Sequence, residues 1–154
     1  MKKRLGICLI LIIVICIVIF FLSNRSKKTI CMLNSKQSDY QASTEYSIYS
    51  KNDLVLKVVS KSVVESSNEE LLNEMKKNYN KQYKTLNSEY SGYDYKVTVK
   101  DNKLYSTVKI NYKKYNMKKF IYDNGAMKDY VNDKKQYTLK GAKKYYESIG
   151  ATCK

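Results

Sequence analysis

The sequence predicts an α+β fold: an antiparallel sheet of about four strands in the order β-β-α-β-β-α, with helices on one face, preceded by one transmembrane helix. Three observations carry that expectation. A run of 18 residues without a charge, Leu5–Leu22, stands directly behind Lys2, Lys3 and Arg4. Two pairs of segments alternate apolar and polar residues with period two around short Asn/Asp turns. Each pair is followed by a stretch whose apolar residues recur at helical spacing.

Taken in order, residues 1–4 form a cytoplasmic N-terminus and residues 5–22 the anchor. At 1.5 Å per residue such a helix reaches roughly 27 Å, close to the ~30 Å hydrocarbon core. A cleavable signal has an apolar region of about 7–15 residues and a small-x-small site, whereas Phe20-Phe21-Leu22 runs straight into Ser23-Asn24-Arg25. An uncleaved single-pass anchor is therefore expected, with residues 23–29 as a basic tether and 30–154 as an extracytoplasmic domain. Lys2, Lys3 and Arg4 before the run nearly balance Arg25, Lys27 and Lys28 after it. Flanking charge alone does not orient it, and long downstream domains translocate largely regardless of charge.

In the domain, Tyr40, Ala42, Thr44, Tyr46 and Ile48 share one face of a strand, Asn52-Asp53 turns, and Leu54–Val64 returns. The first six residues of that return are apolar apart from Lys57, which predicts a central strand. Ser67-Asn-Glu-Glu70 reads as a capping box. Leu71, Leu72, Met75, Tyr79, Tyr83, Leu86 and Tyr90 follow at helical spacing, and Gly92 stops the helix. Tyr93, Tyr95, Val97 and Val99 then alternate to Asp101-Asn102, and Leu104, Ser106, Val108, Ile110 and Tyr112 line the return. Short helical pieces are expected around Met117–Tyr122 and Ala126–Val131. A last helix runs from a Thr138 cap through Leu139, Ala142, Tyr146 and Ile149 to Gly150.

Cys8 and Cys16 lie in the apolar run, where cysteine behaves as a small hydrophobe. Cys31 and Cys153 are the two cysteines of the remaining chain and stand at its extremities. Domain termini are often close in space, so a disulfide joining them is expected, which requires an oxidising compartment. The N-terminus is then inside and the domain outside. The alternative is a pair of free thiols in a cytosol-facing basic domain that touches nucleic acid.

Tyr46-Ser-Ile-Tyr-Ser-Lys-Asn-Asp-Leu-Val-Leu-Lys-Val-Val-Ser-Lys61, Tyr83-Lys-Thr-Leu-Asn-Ser-Glu-Tyr-Ser-Gly-Tyr93 and Ala142-Lys-Lys-Tyr-Tyr-Glu-Ser-Ile-Gly-Ala-Thr-Cys153 resemble the YehR-like family of small bacterial envelope lipoproteins. The resemblance implies a β-rich domain facing the envelope and no established activity. No cysteine stands at a lipobox, since Cys8, Cys16 and Cys31 each follow Ile. The resemblance therefore favours the helical anchor over a lipid.

The chain has no His, which removes Ser-His and Cys-His nucleophiles and His-ligated zinc. It carries no phosphate-loop or nucleophile-elbow motif, and its carboxylates are scattered. No catalytic residue, cofactor or metal site is expected. Binding has more material: 29 Lys+Arg against 14 Asp+Glu give a net charge of +15, which attracts polyanions. The candidate anion-contacting residues are Lys113, Lys114, Lys118, Lys119, Lys134, Lys135, Lys140, Lys143 and Lys144, interleaved with tyrosines. With Arg at positions 4 and 25 alone, the field attracts broadly and selects poorly. The expected function is a non-catalytic, membrane-anchored binding module contacting anionic wall polymers or lipid headgroups at the outer membrane surface. The alternative is an accessory subunit docking onto a larger membrane protein complex.

Overall fold

The computed structural model describes residues 26–154. Its core is a six-stranded antiparallel sheet in the order β4-β5-β3-β2-β1-β6. The strands are β1 (Lys27–Lys36), β2 (Gln41–Lys51), β3 (Leu54–Glu65), β4 (Tyr93–Lys100), β5 (Lys103–Asn111) and β6 (Thr152–Cys153). The helices are α1 (Glu69–Glu89), α2 (Met117–Asp123) and α3 (Leu139–Ser148), with a 3-10 turn at Gly125–Tyr130.

Two tight hairpins set the sheet's register. At Asn52-Asp53 and at Asp101-Asn102 both turn residues have positive φ, between 49° and 63°. This is the mirror-image turn whose twist matches paired strands, and Asn and Asp are among the few side chains that tolerate it. Cross-strand rows then run the width of the sheet. In one, Leu33, Thr44, Ser62, Ser106 and Val97 lie opposite one another. Residues so aligned share a face, and this row belongs to the face that carries the core.

A bulge in β3 interrupts the pairing between Tyr49 and Ser50: Tyr49 faces Lys57, but Ser50 faces Val55. The extra residue is Leu56, whose carbonyl accepts from the Tyr112 amide at 2.9 Å. Strict alternation would place Val55 and Val58 on opposite faces. The bulge turns both inward, and they are 5% and 1% exposed. The apolar start of β3 therefore reflects a bulge in a central strand covered on one face.

On the inner face α1 packs on β4 and β5, and α3 packs on β2, β3 and β6. Asn68 caps α1, its side chain accepting from the Leu71 amide at 3.0 Å, and so replaces the capping box expected at Ser67. Leu72, fully buried, joins Val64, Val97 and Leu104 under α1. Burying one such side chain contributes about 1.5–3 kcal/mol. Thr138 caps α3 by accepting from the Gly141 amide at 2.9 Å, and the Leu139 amide donates to Asp53 O at 2.7 Å. These contacts fasten α3 to the β2–β3 turn.

One expectation is corrected here, and a second finds no counterpart among the described residues. The sheet has six strands rather than four. Lys27–Lys36 pairs with residues 41–50 of β2 and takes in residues 27–29, read from sequence as tether, while Thr152-Cys153 adds to its other edge. The expected transmembrane helix and single-pass membrane placement find no counterpart in the structure: among the described residues no helix is long and apolar enough to cross a membrane. The longest, α1, carries Glu69, Glu70, Glu74, Lys76, Lys77, Lys81, Lys84 and Glu89 around an apolar stripe. Residues 1–4 and 5–22, where the cytoplasmic N-terminus and the anchor were expected, lie outside the described residues.

Candidate functional site

Cys31 and Cys153 stand opposite each other in the β1–β6 ladder and form a disulfide. The pair of free thiols is thereby removed. Reciprocal bonds between Ile30 and Lys154 (2.8 and 3.2 Å) complete the short ladder. The bond closes the edge strand that two residues alone would hold weakly.

The nine lysines singled out from sequence fall on four separate pieces. Lys113 and Lys114 follow β5, and Lys118 and Lys119 lie on α2. Lys134 and Lys135 sit in the turn before α3, while Lys140, Lys143 and Lys144 lie on α3. Lys119 is committed locally: its Nζ donates to Asp123 at 2.8 Å and sits 4.5 Å from the Tyr90 ring centroid. Tyr90 Oη also donates to Asp123, at 2.7 Å. Lys119 first, and Tyr90 after it, hold the Asp123 carboxyl below its ordinary value. Lys144 lies 5.6 Å from the Tyr130 ring.

A second set of cations emerges from register. The face of the sheet opposite the helices carries Lys28, Lys36, Lys57, Lys61, Lys96, Lys100, Lys103 and Lys109 against Glu45, Glu65 and Asp94. Each carboxylate takes one lysine: Lys28–Glu45 at 3.8 Å, Lys103–Glu65 at 2.7 Å and Lys109–Asp94 at 3.7 Å. Lys103, then Gln41, lowers the Glu65 carboxyl. Lys36, Lys57, Lys61 and Lys96 form no ion pair among the described residues. No described element covers this face. Sequence reasoning missed this set, although its signal is visible: lysines at alternate strand positions, such as Lys57 and Lys61, opposite in phase to Val58 and Val64.

Between α1 and α3 the inner face opens into a cleft of about 490 Å3. Its floor is Val58 and Ser60 of β3 with Val108 and Ile110 of β5. Tyr79, Gln82 and Tyr83 of α1 form one wall, and Tyr145, Tyr146 and Ile149 the other. Tyr46, Tyr93, Tyr112, Tyr137, Phe120 and Met127 complete the lining. The small side chain of Ser60 on the central strand β3 leaves space that tyrosines enclose. Tyr46 and Tyr146 stack at 4.3 Å, tying β2 to α3, and Tyr112 packs on Tyr137 at 5.1 Å.

Tyrosine is the only ionisable residue type in this lining. Burial, reinforced by neighbouring phenols, raises the pKa values of Tyr46, Tyr79, Tyr93, Tyr112, Tyr137 and Tyr146, so these hydroxyls stay protonated. Among the described residues no group of three or more His, Cys, Asp or Glu is arranged to hold a metal.

No protein-family model matches the chain. No curated protein matches it. Two solved structures do. The NMR structure of Escherichia coli YehR is 16% identical, covers 83% of this chain and 91% of its own, and superposes with a TM-score of 0.54. The NMR structure of a protein from Streptococcus pneumoniae TIGR4 is 12% identical, covers 85% and 86% respectively, and gives 0.52. At these identities the likeness is one of architecture, and the described residues have a YehR-like fold.

Proposed function

We propose that this chain is a non-catalytic binding module whose lysine-bearing sheet face contacts an anionic polymer or an anionic lipid headgroup surface. The observation that carries the reading is the excess of eight lysines over three carboxylates on one uncovered sheet face. Strand geometry spaces these lysines at roughly 5 Å across the sheet and roughly 7 Å along a strand. A repeating anionic chain or a headgroup layer would meet several of them at once. Lysine offers point charges without the planar fork of arginine, which suits a repetitive partner better than a single phosphate. The lysines at positions 113–144 widen the positive field. Membership of the YehR-like family belongs to the same proposal, and the two fold likenesses support it. The disulfide supports an oxidising working environment.

The test is binding of the full, oxidised chain to inorganic polyphosphate and to vesicles containing phosphatidylglycerol, each across a salt series. Affinity that falls steeply between low and physiological salt supports the reading, because exposed charges are screened within about 8–10 Å. Affinity absent at low salt removes it. The alternative, docking onto a larger protein complex, draws on Met32 and Tyr105, which are 39% and 40% exposed on the same face. Apolar docking would persist as salt rises.

A further inference from the structure

We infer that the tyrosine-lined cleft between α1 and α3 is a binding site for a neutral saccharide. Its volume of about 490 Å3 lies in the range of small-molecule pockets, about 300–1,000 Å3. Its chemistry weighs against the other ligand classes. An anion would leave water for a lining without Lys or Arg, and an unpaired charge is costly to bury. An organic cation could rest on the ring faces, and choline is included in the test to decide against it. A wholly apolar ligand meets a different obstacle. The hydroxyls of Tyr46, Tyr112, Tyr137 and Tyr146 have no protein hydrogen-bond partner among the described residues, yet none is sealed from solvent. A ligand without oxygen would close over these hydroxyls and leave them unpaired, which is costly.

A sugar ring answers both demands. Its C–H faces lie against phenol rings, whose bodies are apolar and whose tips are polar. Its hydroxyls pair with the Tyr tips, Ser60 and Gln82, all of which line the cleft. The phenols stay protonated through the physiological range and so act as donors to ring and glycosidic oxygens. Ile149, 42% exposed at the rim, extends the apolar surface outward from the mouth. The site is on the sheet face opposite the lysine set and uses none of its residues, so it stands or falls independently of polyanion contact.

The test is NMR titration of the full, oxidised chain labelled in its tyrosine rings. The probes are maltose, cellobiose and N,N′-diacetylchitobiose, with choline, N-phenyl-1-naphthylamine and inorganic phosphate as the cationic, apolar and anionic comparisons. The expected result is saturable movement of the Tyr46, Tyr79, Tyr112 and Tyr137 ring signals with at least one disaccharide. The affinity should be the same at low and high salt. Tyr46→Phe keeps the ring and loses the hydroxyl, and should weaken that affinity about 3- to 10-fold. Gln82→Ala, at an exposed helical position, gives a second variant with little risk to folding. No saturable movement with any of the three disaccharides overturns the inference. So does saturation by choline or the naphthylamine alone, or saccharide affinity indifferent to both substitutions.

Discussion

Replacing Gly141 by alanine sets two known effects against each other. Gly141 lies inside α3, where alanine is ordinarily preferred by about 1 kcal/mol. Here, however, a Cβ would stand 1.8 Å from Tyr130 O and 2.6 Å from Tyr130 C. Both contacts are with backbone, so no side-chain rotation relieves them, and α3 must move away from the Gly125–Tyr130 turn by more than an ångström. Overpacking costs typically 1–3 kcal/mol, and backbone contacts this short belong in the upper part of that range, about 2–3 kcal/mol. After the helical gain is subtracted, Gly141→Ala should lower the unfolding free energy by about 1–2 kcal/mol. With a urea slope of about 2 kcal/mol/M, the midpoint falls by roughly 0.5–1 M. Gly125→Ala is the matched control, since no atom lies within 4 Å of its added Cβ, and its effect should stay within about 0.5 kcal/mol. Equilibrium urea unfolding followed by circular dichroism reads both. A Gly141→Ala midpoint equal to or above that of the parent chain would refute the packing argument and place α3 farther from Tyr130.

Two further outcomes follow from the edge strand and from the α2 ion pair. The Cys31–Cys153 bond joins residues 122 apart, for which the chain-entropy account gives about 5 kcal/mol. Cys31→Ala/Cys153→Ala should therefore lose several kcal/mol in urea unfolding and become insensitive to reductant, whereas a loss under about 1 kcal/mol would contradict the account. Asp123 has its carboxyl held below the ordinary value of 3.8 by Lys119 and Tyr90. A lowered native pKa stabilises above the unfolded value and is lost as pH falls through the native one. The melting-temperature gap between parent and Asp123→Asn should accordingly be constant near neutrality and shrink below about pH 4; a gap unchanged down to pH 2 would exclude the ion pair.

Much of the fold is legible in the chain because its hairpins carry their own turn chemistry. Asn52-Asp53 and Asp101-Asn102 mark both reversals, and strict alternation from Tyr93 to Val99 defines β4 without ambiguity. β1 is less visible. Ile30 and Met32 point to one face and Cys31 and Leu33 to the other, so no alternation stands out, and Lys27 and Lys28 look like linker. β6 is two residues long and acquires meaning only from its bond to Cys31. The Leu56 bulge is equally silent, since three apolar residues in a row read the same with or without it. The candidate site is harder still. Clustered lysines between Lys113 and Lys144 are conspicuous in sequence but are divided among four pieces of structure. The lysines of the open face are dispersed in sequence and gathered by register. The cleft draws its tyrosines from β2, β4, α1, α3 and the segments after β5 and before α3, and nothing local distinguishes Tyr112 or Tyr137 from the other tyrosines of the chain.

The central claim, that the open sheet face is the contact surface for anions, is tested most directly by moving charge between the two lysine sets. Lys36→Gln, Lys57→Gln, Lys61→Gln and Lys96→Gln together remove four cations from the sheet face. Lys113→Gln, Lys114→Gln, Lys134→Gln and Lys135→Gln remove the same charge from elsewhere. Polyphosphate affinity is measured for both at low and physiological salt. The account predicts that the first set loses at least about tenfold in affinity and flattens the salt dependence, and that the second loses only a few-fold. Equal losses from the two sets would mean net charge alone is at work and would contradict the claim.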